Sequence, residues 1–381
     1  MQVMQYLAIL GRQPDISLSE LESLYPNQVS LLNSQAALVD TESIDFDRLG
    51  GTIKLAQVIA SMPQDTIEAV LANSAIALNS RLPMGKLAIG LSLYGTTASA
   101  KDVFAQSLTL KKQLRAQGHS VRIVPGNQLT AAQIMHNHMI SQGADLVIVS
   151  GGNTIYIGLT CAVQDIERYG LRDHGRPARS AKVGMLPPKL AQIMINLANP
   201  TPSTTVLDPF CGTGVILQEA LLMNYAAYGS DIEDELISMS RQNLEWLARQ
   251  FDLSNSFQLE TGDATKHRWH PPIGAVVTEG YLGPALSAAP SDKDIQALAS
   301  SARQLTLVFM ANLRQQIDSN TPVCMTLPAW KKGNTIQGLN ILDQIEALGY
   351  TSKQFSLAQS GLIYHRDNQF VARELVVLRS N

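Results

Sequence analysis

The seven residues DPFCGTG, at positions 208–214, combine an acidic side chain with two closely spaced glycines. They follow the apolar segment TTVL, which is typical of a strand, and precede VILQEALL, which is typical of a helix. Gly212 and Gly214 let the backbone approach a ligand closely, and the amino end of the following helix favours anionic groups. Since the segment contains neither G-x-G-x-x-G nor G-K-[ST], it matches neither the dinucleotide fingerprint nor the phosphate loop.

Two further acidic residues end the next two predicted strands, Asp231 in YGSDI and Asp263 in ETGDA. A carboxylate at the first of these positions can accept hydrogen bonds from both hydroxyls of an adenosine ribose. Asp263 can accept a hydrogen bond from the adenine amino group, while the backbone of Ala264 contacts the edge of the ring. One acid at a strand end is more often a helix cap, but three acids after successive strands predict a nucleoside-type ligand.

Predicted strands and helices alternate along the second half of the chain and would carry these acids. The segments TTVLDPF, AAYGSDI, SFQLETGDA, AVVTEG and PVCMTLP predict strands, and helical segments such as DELISMSRQNLEWLARQF separate them. Alternating strands and helices predict a doubly wound, mostly parallel sheet, to which a closing hairpin in GLIYHRDNQFVARELVVL adds an antiparallel strand.

The first half of the chain has its own strand and helix pattern. QYLAILGR predicts a strand, and SLSELESLYP a helix with Ser17 or Ser19 as its N-cap. From Gly85, strands and helices alternate, with LTAAQIMHNHMISQG as one helix ended by Gly143. ADLVIVSG and TIYIGLT then predict a hairpin around two glycines.

Taken together, these segments resemble the class I S-adenosylmethionine-dependent methyltransferases. More narrowly, the chain resembles the THUMP-containing tRNA guanine-N2 methyltransferases that modify position ten of tRNA. The resemblance covers essentially the whole chain, and the segments that carry it beyond the strand ends are LAILGRQPDISLSELESL, IVPGNQLTAAQIMHNHM, TIYIGLT, RDHGRP, VGMLPPKLAQIMINLANP and YHRDNQFVARELVVL.

The resemblance implies an α/β class I methyltransferase domain, Rossmann-like and doubly wound, over residues 183–381. It also implies an α+β ferredoxin-like domain at 1–70, an RNA-binding THUMP domain at 71–165 and a basic linker at 166–182. The implied cofactor is S-adenosyl-L-methionine, and the implied contacts with it come from the loop and the strand ends: Asp208, Pro209, Phe210, Gly212, Gly214, Asp231, Ile232, Asp263 and Ala264.

The segment TEGYLGP, at 278–284, stands where amino-methylating enzymes carry Asp or Asn followed by Pro-Pro-Tyr. Tyr281 matches the tyrosine, whereas Thr278 replaces the carboxylate or amide and Glu279 comes one residue later. We expect Thr278, Glu279 and Tyr281 to form the catalytic site, with Glu279 as the acceptor of the amine protons and Gly280 giving the backbone freedom for this. A loss of catalytic activity is the alternative.

The segment IERYGLRDHGRPARSAK, at 166–182, holds five basic residues against two acidic ones. A local basic strip can bind phosphate although the whole chain has a formal net charge of −3, because screening limits each charge to about 8–10 Å. Arg172, Arg176, Arg179 and Lys182 are therefore candidates for tRNA contacts. The alternative is a solvated linker between domains.

Length and composition limit the class of protein. At 381 residues the chain predicts two or three domains, and with 45% hydrophobic and 16% charged residues it is typical of a globular protein. No apolar run approaches the ~18–20 residues of a membrane span, and the first residues contain no export signal. Three unpaired cysteines predict a cytoplasmic protein without disulfides or zinc. His136 and His138 lie two positions apart in a predicted helix and so point to different faces, which argues against a shared metal ion.

Three functions fit these observations. The favoured one is transfer of a methyl group to the N2 amine of a guanosine in tRNA, at position ten. The second is methylation of another RNA nucleoside or site, and the third is tRNA binding without catalysis. The sequence does not indicate an oligomeric state or a protein partner.

Overall fold

A computed structural model describes residues 3–79, 81–82, 85–180, 186–284, 286, 288–333, 335–367 and 369–381. The chain folds as two compact units. Unit 1 comprises Met1–Asp47 and Gly51–Glu167, and unit 2 comprises Arg48–Gly50 and Arg168–Asn381. Within the described residues, no helix has the length and apolar character to cross a membrane.

Unit 1 is built on an eight-stranded sheet with the strand order β2-β3-β1-β4-β8-β7-β5-β6. Strand β5 is parallel to β6 and β7, and all other neighbours are antiparallel. Its elements in chain order are β1 (Met4–Leu10), α1 (Pro14–Leu24), β2 (Val29–Asn33), β3 (Ala36–Thr41), β4 (Thr52–Pro63), α2 (Ile67–Asn79), β5 (Lys86–Tyr94), α3 (Ala100–Ala116), β6 (Ser120–Ile123), α4 (Ala131–His136), α5 (Met139–Gln142), β7 (Gly143–Gly151) and β8 (Thr154–Val163).

The segments expected to form two N-terminal domains share this sheet. Strand β4 pairs with β1 on one side and with β8 on the other, over a register that runs from Lys54↔Val163 to Pro63↔Thr154. The hairpin expected around Gly151 and Gly152 is confirmed as β7 and β8. Residues 1–70 and 71–165 therefore remain predicted domains, but their strands form one continuous sheet.

A buried ion pair lies within unit 1. Lys54 Nζ on β4 lies 2.6 Å from Asp145 Oδ2 on β7, and both side chains are almost fully buried. The hydroxyls of Ser92 and Thr160 donate to the same carboxylate at 2.7 and 2.8 Å. Four strands therefore contribute to one polar cluster in which the carboxylate has several donors.

The N-cap predicted for one helix of unit 1 is wrong, and so is the continuity predicted for another. Helix α1 begins at Pro14 with Gln13 as its N-cap, while Ser17 and Ser19 lie buried inside it. Proline suits the first helical position because the amide hydrogen it lacks has no partner there. The single helix expected up to Gly143 is two short helices, because His138 takes a left-handed conformation with φ of 51°.

Unit 2 is built on a second sheet with the order β11-β10-β9-β12-β13-β17-β15, to which β14 and β16 add at β13 and β17. Its elements are α6 (Ile166–His174, beginning in unit 1), α7 (Pro188–Ala198), β9 (Thr205–Asp208), α8 (Val215–Leu222), β10 (Ala226–Asp231), α9 (Asp234–Phe251), β11 (Phe257–Thr261), β12 (Ala275–Glu279), α10 (Asp292–Arg314), β13 (Pro322–Lys332), β14 (Thr335–Gly338), α11 (Leu342–Glu346), β15 (Tyr350–Ser352), β16 (Ile363–Tyr364) and β17 (Val371–Ser380).

Five adjacent strands of this sheet are parallel, in the order β11, β10, β9, β12 and β13, and β17 is antiparallel to β13. The predicted doubly wound sheet with a late antiparallel strand is therefore confirmed. The chain moves outward from β9 to β10 and β11, then returns to the other side of β9 with β12. The carboxyl ends of β9 and β12 mark this change of direction, which is where open α/β sheets bind ligands.

Candidate active site

The loop after β9 requires its glycines. Gly212 and Gly214 have φ values of 51° and 84°, in the left-handed region that favours glycine. A Cβ on Gly214 would lie 2.4 Å from Ser240 Oγ. The amide of Cys211 donates to the carbonyl of Ser230 on β10 at 2.9 Å, which fixes the loop against the next strand.

Asp231, at the end of β10, is held by the same loop. Its Oδ2 accepts the Gly212 amide at 2.9 Å, and its Oδ1 accepts the Glu233 amide at 3.0 Å. Each oxygen keeps a second lone pair for a further donor. Beside it, the Ile232 side chain is 64% exposed. A carboxylate next to an exposed apolar side chain fits the ribose and the ring of a nucleoside.

Asp263 follows β11 and begins a turn, which its side chain stabilises through hydrogen bonds. Its Oδ1 accepts the amide and the hydroxyl of Thr265 at 3.0 and 2.7 Å, and these bonds hold the pKa of the carboxyl below its usual range. Oδ2 lies 3.4 Å from Lys266 Nζ and can accept another donor. Ala264 is buried, and its carbonyl accepts Asn312 Nδ2 at 3.0 Å. The turn is therefore rigid and carries one available carboxylate oxygen.

Asp208 and Thr278 form a buried pair across β9 and β12. Thr278 Oγ1 donates to Asp208 Oδ1 at 2.6 Å, and the Phe210 amide donates to the same oxygen at 3.2 Å. Burial raises the pKa of Asp208 to about 7, against the opposing effect of these bonds. Because Thr278 is fully buried and donates its hydroxyl here, its assignment as a catalytic contact is corrected to a supporting role.

Glu279, at the end of β12, forms an ion pair with Arg373 of β17, whose Nε donates to Glu279 Oε1. Burial raises the pKa of the Glu279 carboxyl, while the charges of Arg373 and Arg366 act in the opposite direction. Sequence reasoning missed Arg373, although it lies in the YHRDNQFVARELVVL segment that carries part of the resemblance.

Gly280 also has a packing role, which the sequence did not indicate. A Cβ at this position would lie 2.6 Å from the carbonyl oxygen of Thr326, so glycine is needed for the packing of β12 against β13. Gly280 is not among the glycines with positive φ. Tyr281 follows with its side chain 42% exposed, and it can therefore contact a flat ligand.

The basic strip does not form the surface that its sequence suggested. Arg172 lies on α6, is buried, and donates through Nε to Glu219 at 2.7 Å with its guanidinium over the Tyr169 ring. Arg176 is 3% exposed. Both assignments as phosphate contacts are therefore corrected, because neither side chain reaches the surface. Arg179 is exposed, and Lys182 lies outside the described residues.

The residues after α6 are tied to the glycine loop. Asn243 of α9 accepts the Ala178 amide at 2.9 Å and donates to the Ala178 carbonyl at the same distance. The same Asn243 amide group donates to the carbonyl of Thr213 at 2.9 Å. A single buried side chain therefore connects the strip to the loop, and residues 176–180 belong to the surroundings of the site.

Residues 176–304 match the family described as UPF0020: RMKL-like, methyltransferase domain. This part of the chain is therefore similar to the methyltransferase domains of that family. A tRNA (guanine(10)-N2)-dimethyltransferase of Methanothermobacter thermautotrophicus is 30% identical over 157 residues, 41% of this chain and 42% of that protein. The protein of the same name from Pyrococcus abyssi is 26% identical over 306 residues, 76% of this chain and 82% of that protein.

The first of these matches spans less than half of its relative, whereas the second spans most of it. Among solved structures, TrmN from Thermus thermophilus is similar in fold, with a TM-score of 0.55 and 16% identity over 99% of this chain and 100% of that chain. The expected class I methyltransferase fold and the resemblance to tRNA guanine-N2 methyltransferases are confirmed. With that domain, the strand-end residues fit the expected cofactor, S-adenosylmethionine.

Proposed function

We propose that this protein transfers a methyl group from S-adenosylmethionine to the N2 amine of a guanosine in tRNA, at position ten. Its similarity to the Pyrococcus abyssi enzyme, over 82% of that enzyme's length, supports this substrate. The observation in this molecule that carries the proposal is the position of Asp231, Asp263 and Glu279. All three end or follow parallel strands of one sheet, β10, β11 and β12, at the same edge as the glycine loop that follows β9.

The cofactor would be held by residues with suitable free groups. Asp231 would accept the ribose hydroxyls through the lone pairs that Gly212 and Glu233 leave free, and Ile232 would pack against the adenine. Asp263 would accept a hydrogen bond from the amino group at the polar edge of the adenine ring. When bound, S-adenosylmethionine supplies a methyl group on a positively charged sulfur, which a nucleophile displaces in line.

Glu279 is the residue that would orient the guanosine amine. The amine is a poor nucleophile because its lone pair is delocalised into the ring, and an acceptor that binds the amine protons turns the lone pair toward the methyl group. Arg373 holds Glu279 through Oε1, so that Oε2 can accept an amine proton. No strong base is needed, since the reaction depends mainly on position.

A guanosine within folded tRNA must leave its stack to reach this site, which costs a few kcal/mol. Tyr281 would stack on the extruded base, since its side chain is exposed and it lies two residues after Glu279. The predicted THUMP domain at 71–165 and the exposed Arg179 would bind the tRNA. Free cysteines support a reducing, cytoplasmic location for this reaction.

Methyl transfer is tested by incubating the protein with labelled S-adenosylmethionine and unmodified total tRNA, then digesting the tRNA and identifying the labelled nucleoside. We expect N2-methylated guanosine, located at position ten by sequencing. The Asp231→Ala variant is the control. It should bind the cofactor about ten-fold or more weakly, because it loses hydrogen bonds to a charged acceptor.

The other two functions are distinct outcomes of this experiment. A labelled nucleoside other than N2-methylguanosine would identify a different substrate. A protein that binds both cofactor and tRNA without transfer would be a tRNA-binding protein that has lost catalysis. Either result contradicts the proposed activity.

A further inference from the structure

Arg176 is a buried cation without a protein partner among the described residues. Its side chain is 3% exposed, and none of its three guanidinium nitrogens has a hydrogen-bond partner in that part of the chain. A guanidinium carries five N–H donors. Burying an unpaired charge costs several kcal/mol, so side chains of this kind are paired in most proteins.

The neighbouring Arg172 shows how a buried arginine of this segment can be paired with a carboxylate. It forms two hydrogen bonds with Glu219, at 2.7 and 3.3 Å. Around Arg176, by contrast, burial lowers the pKa of the guanidinium, the charge of Asp173 opposes this shift without forming a hydrogen bond, and the charge of Arg179 adds to it. The protein thus supplies no paired carboxylate for Arg176 within the described residues.

The position of Arg176 relates it to the glycine loop. Ala178, two residues later, is bound through both backbone groups to Asn243, which also binds the carbonyl of Thr213. Thr213 lies between the two loop glycines, Gly212 and Gly214. Arg176 is therefore part of the segment that Asn243 fastens to the loop of the candidate cofactor site.

We propose that Arg176 is a buried anion site and binds the carboxylate at the amino-acid end of the cofactor. This inference rests on the proposed function, because it assumes S-adenosylmethionine as the ligand. A carboxylate matches the planar fork of a guanidinium through two parallel hydrogen bonds. A phosphate of the tRNA offers similar oxygens, but the burial of Arg176 favours a group that enters with the cofactor.

The test compares two ligands that differ in this carboxylate. S-adenosylhomocysteine carries it, whereas 5′-methylthioadenosine has the same nucleoside and lacks the amino-acid end. Calorimetry gives both dissociation constants for the wild type, for Arg176→Gln and for Arg249→Gln, a matched control at an exposed arginine near the end of α9. We expect Arg176→Gln to weaken S-adenosylhomocysteine about ten-fold or more and to leave 5′-methylthioadenosine unchanged. Arg249→Gln should change neither constant.

Equal losses for both ligands in Arg176→Gln would show a disturbed loop and overturn the inference, as would no loss for either. If the tRNA affinity of this variant loses salt dependence instead, the anion is a phosphate and the carboxylate assignment is wrong. Should Arg176→Gln fail to fold, Arg176→Lys takes its place, since an ammonium cannot form the two parallel bonds. A wild type that binds neither ligand contradicts the proposed function itself. If the wild type methylates tRNA and Arg176→Gln has the same dissociation constants as the wild type, only this inference is contradicted.

Discussion

The presentation of Glu279 depends on one ion pair, between residues 94 positions apart in the chain. Arg373 is 5% exposed, so it holds the carboxylate from the interior of unit 2 and leaves the other oxygen of Glu279 for a ligand. A carboxylate fixed before substrate arrives needs little reorganisation during the reaction. Arg373 is thus a positioning residue for the proposed acceptor.

At this scale the prediction concerns turnover. Glu279→Ala should lower kcat by about 10²–10³-fold, since it removes one preorganised group, while Glu279→Gln should keep part of the activity through its amide oxygen. Affinity for S-adenosylhomocysteine should stay nearly constant in both variants. Single-turnover methylation of tRNA and calorimetry measure the two quantities.

The control separates catalysis from stability, because Glu279→Ala leaves Arg373 buried and unpaired. The double variant Glu279→Ala/Arg373→Met removes both charges and should recover thermal stability. Its kcat should remain as low as that of Glu279→Ala. Recovery of kcat in the double variant would show that Glu279 has only a structural role.

Functional residues that depend on their immediate neighbours in the chain were predictable, whereas contacts between residues far apart in the chain were not. Asp208 and Asp231 were placed correctly because strand ends can be recognised from their own neighbours. The burial of Arg172 could not be predicted, since its partner Glu219 lies 47 positions away. A basic strip looks the same in sequence whether its arginines face water or an internal carboxylate.

At the scale of elements, the hydrogen bond from Thr278 to Asp208 joins the ends of β9 and β12. The pKa of Asp208, about 7 in the folded protein, is above its ordinary value of 3.8. The folded state therefore holds this proton between pH 3.8 and 7, where the unfolded chain has lost it. As pH rises through this window, the free energy of unfolding falls, because Asp208 loses its proton in the folded state. Above pH 7 the folded state carries the full cost of the buried carboxylate charge.

This linkage predicts the effect of Asp208→Asn on stability. Relative to the wild type, the variant should gain about 2–3 kcal/mol of unfolding free energy between pH 5 and 7.5, since each pKa unit corresponds to about 1.4 kcal/mol. Urea unfolding of the ligand-free protein at both pH values measures it. Asp252→Asn is the control, because Asp252 is exposed and its left-handed conformation suits asparagine. The same difference between variant and wild type at both pH values would contradict a titrating Asp208.

Long periodic elements were predictable, and irregular ones were not. The segment DELISMSRQNLEWLARQF coincides with α9, because apolar spacing marks a helix of this length clearly. The break at His138 was missed, since a single left-handed residue leaves the apolar spacing on either side intact. The N-cap of α1 was missed because Pro14 starts the helix before the serines that looked like caps.

At the scale of the whole molecule, the shared sheet of unit 1 predicts cooperative unfolding. Asp145→Ala removes one partner of the buried pair with Lys54 and should cost about 3–5 kcal/mol. Because β4 bonds to both β1 and β8, amide hydrogen exchange should accelerate in β1, β3 and β4 as well as in β7.

Hydrogen exchange by mass spectrometry on the whole chain measures this spread. The double variant Lys54→Met/Asp145→Leu should recover most of the protection, since it leaves no unpaired charge. Acceleration confined to residues 86–163 would show two independent domains with separate stabilities, as the predicted boundary near residue 70 implies.

The shared sheet also limits how this chain can be recombined with its relatives. An exchange of the first 70 residues would have to reproduce the pairing of β4 with β8, including the register shifts at Leu55/Ala56 and Val58/Ala60. A shift of one residue in that pairing would turn every side chain of β4 to the opposite face. For protein engineering, the smallest exchangeable module is therefore the complete sheet from β1 to β8, and crossovers within it should yield insoluble hybrids.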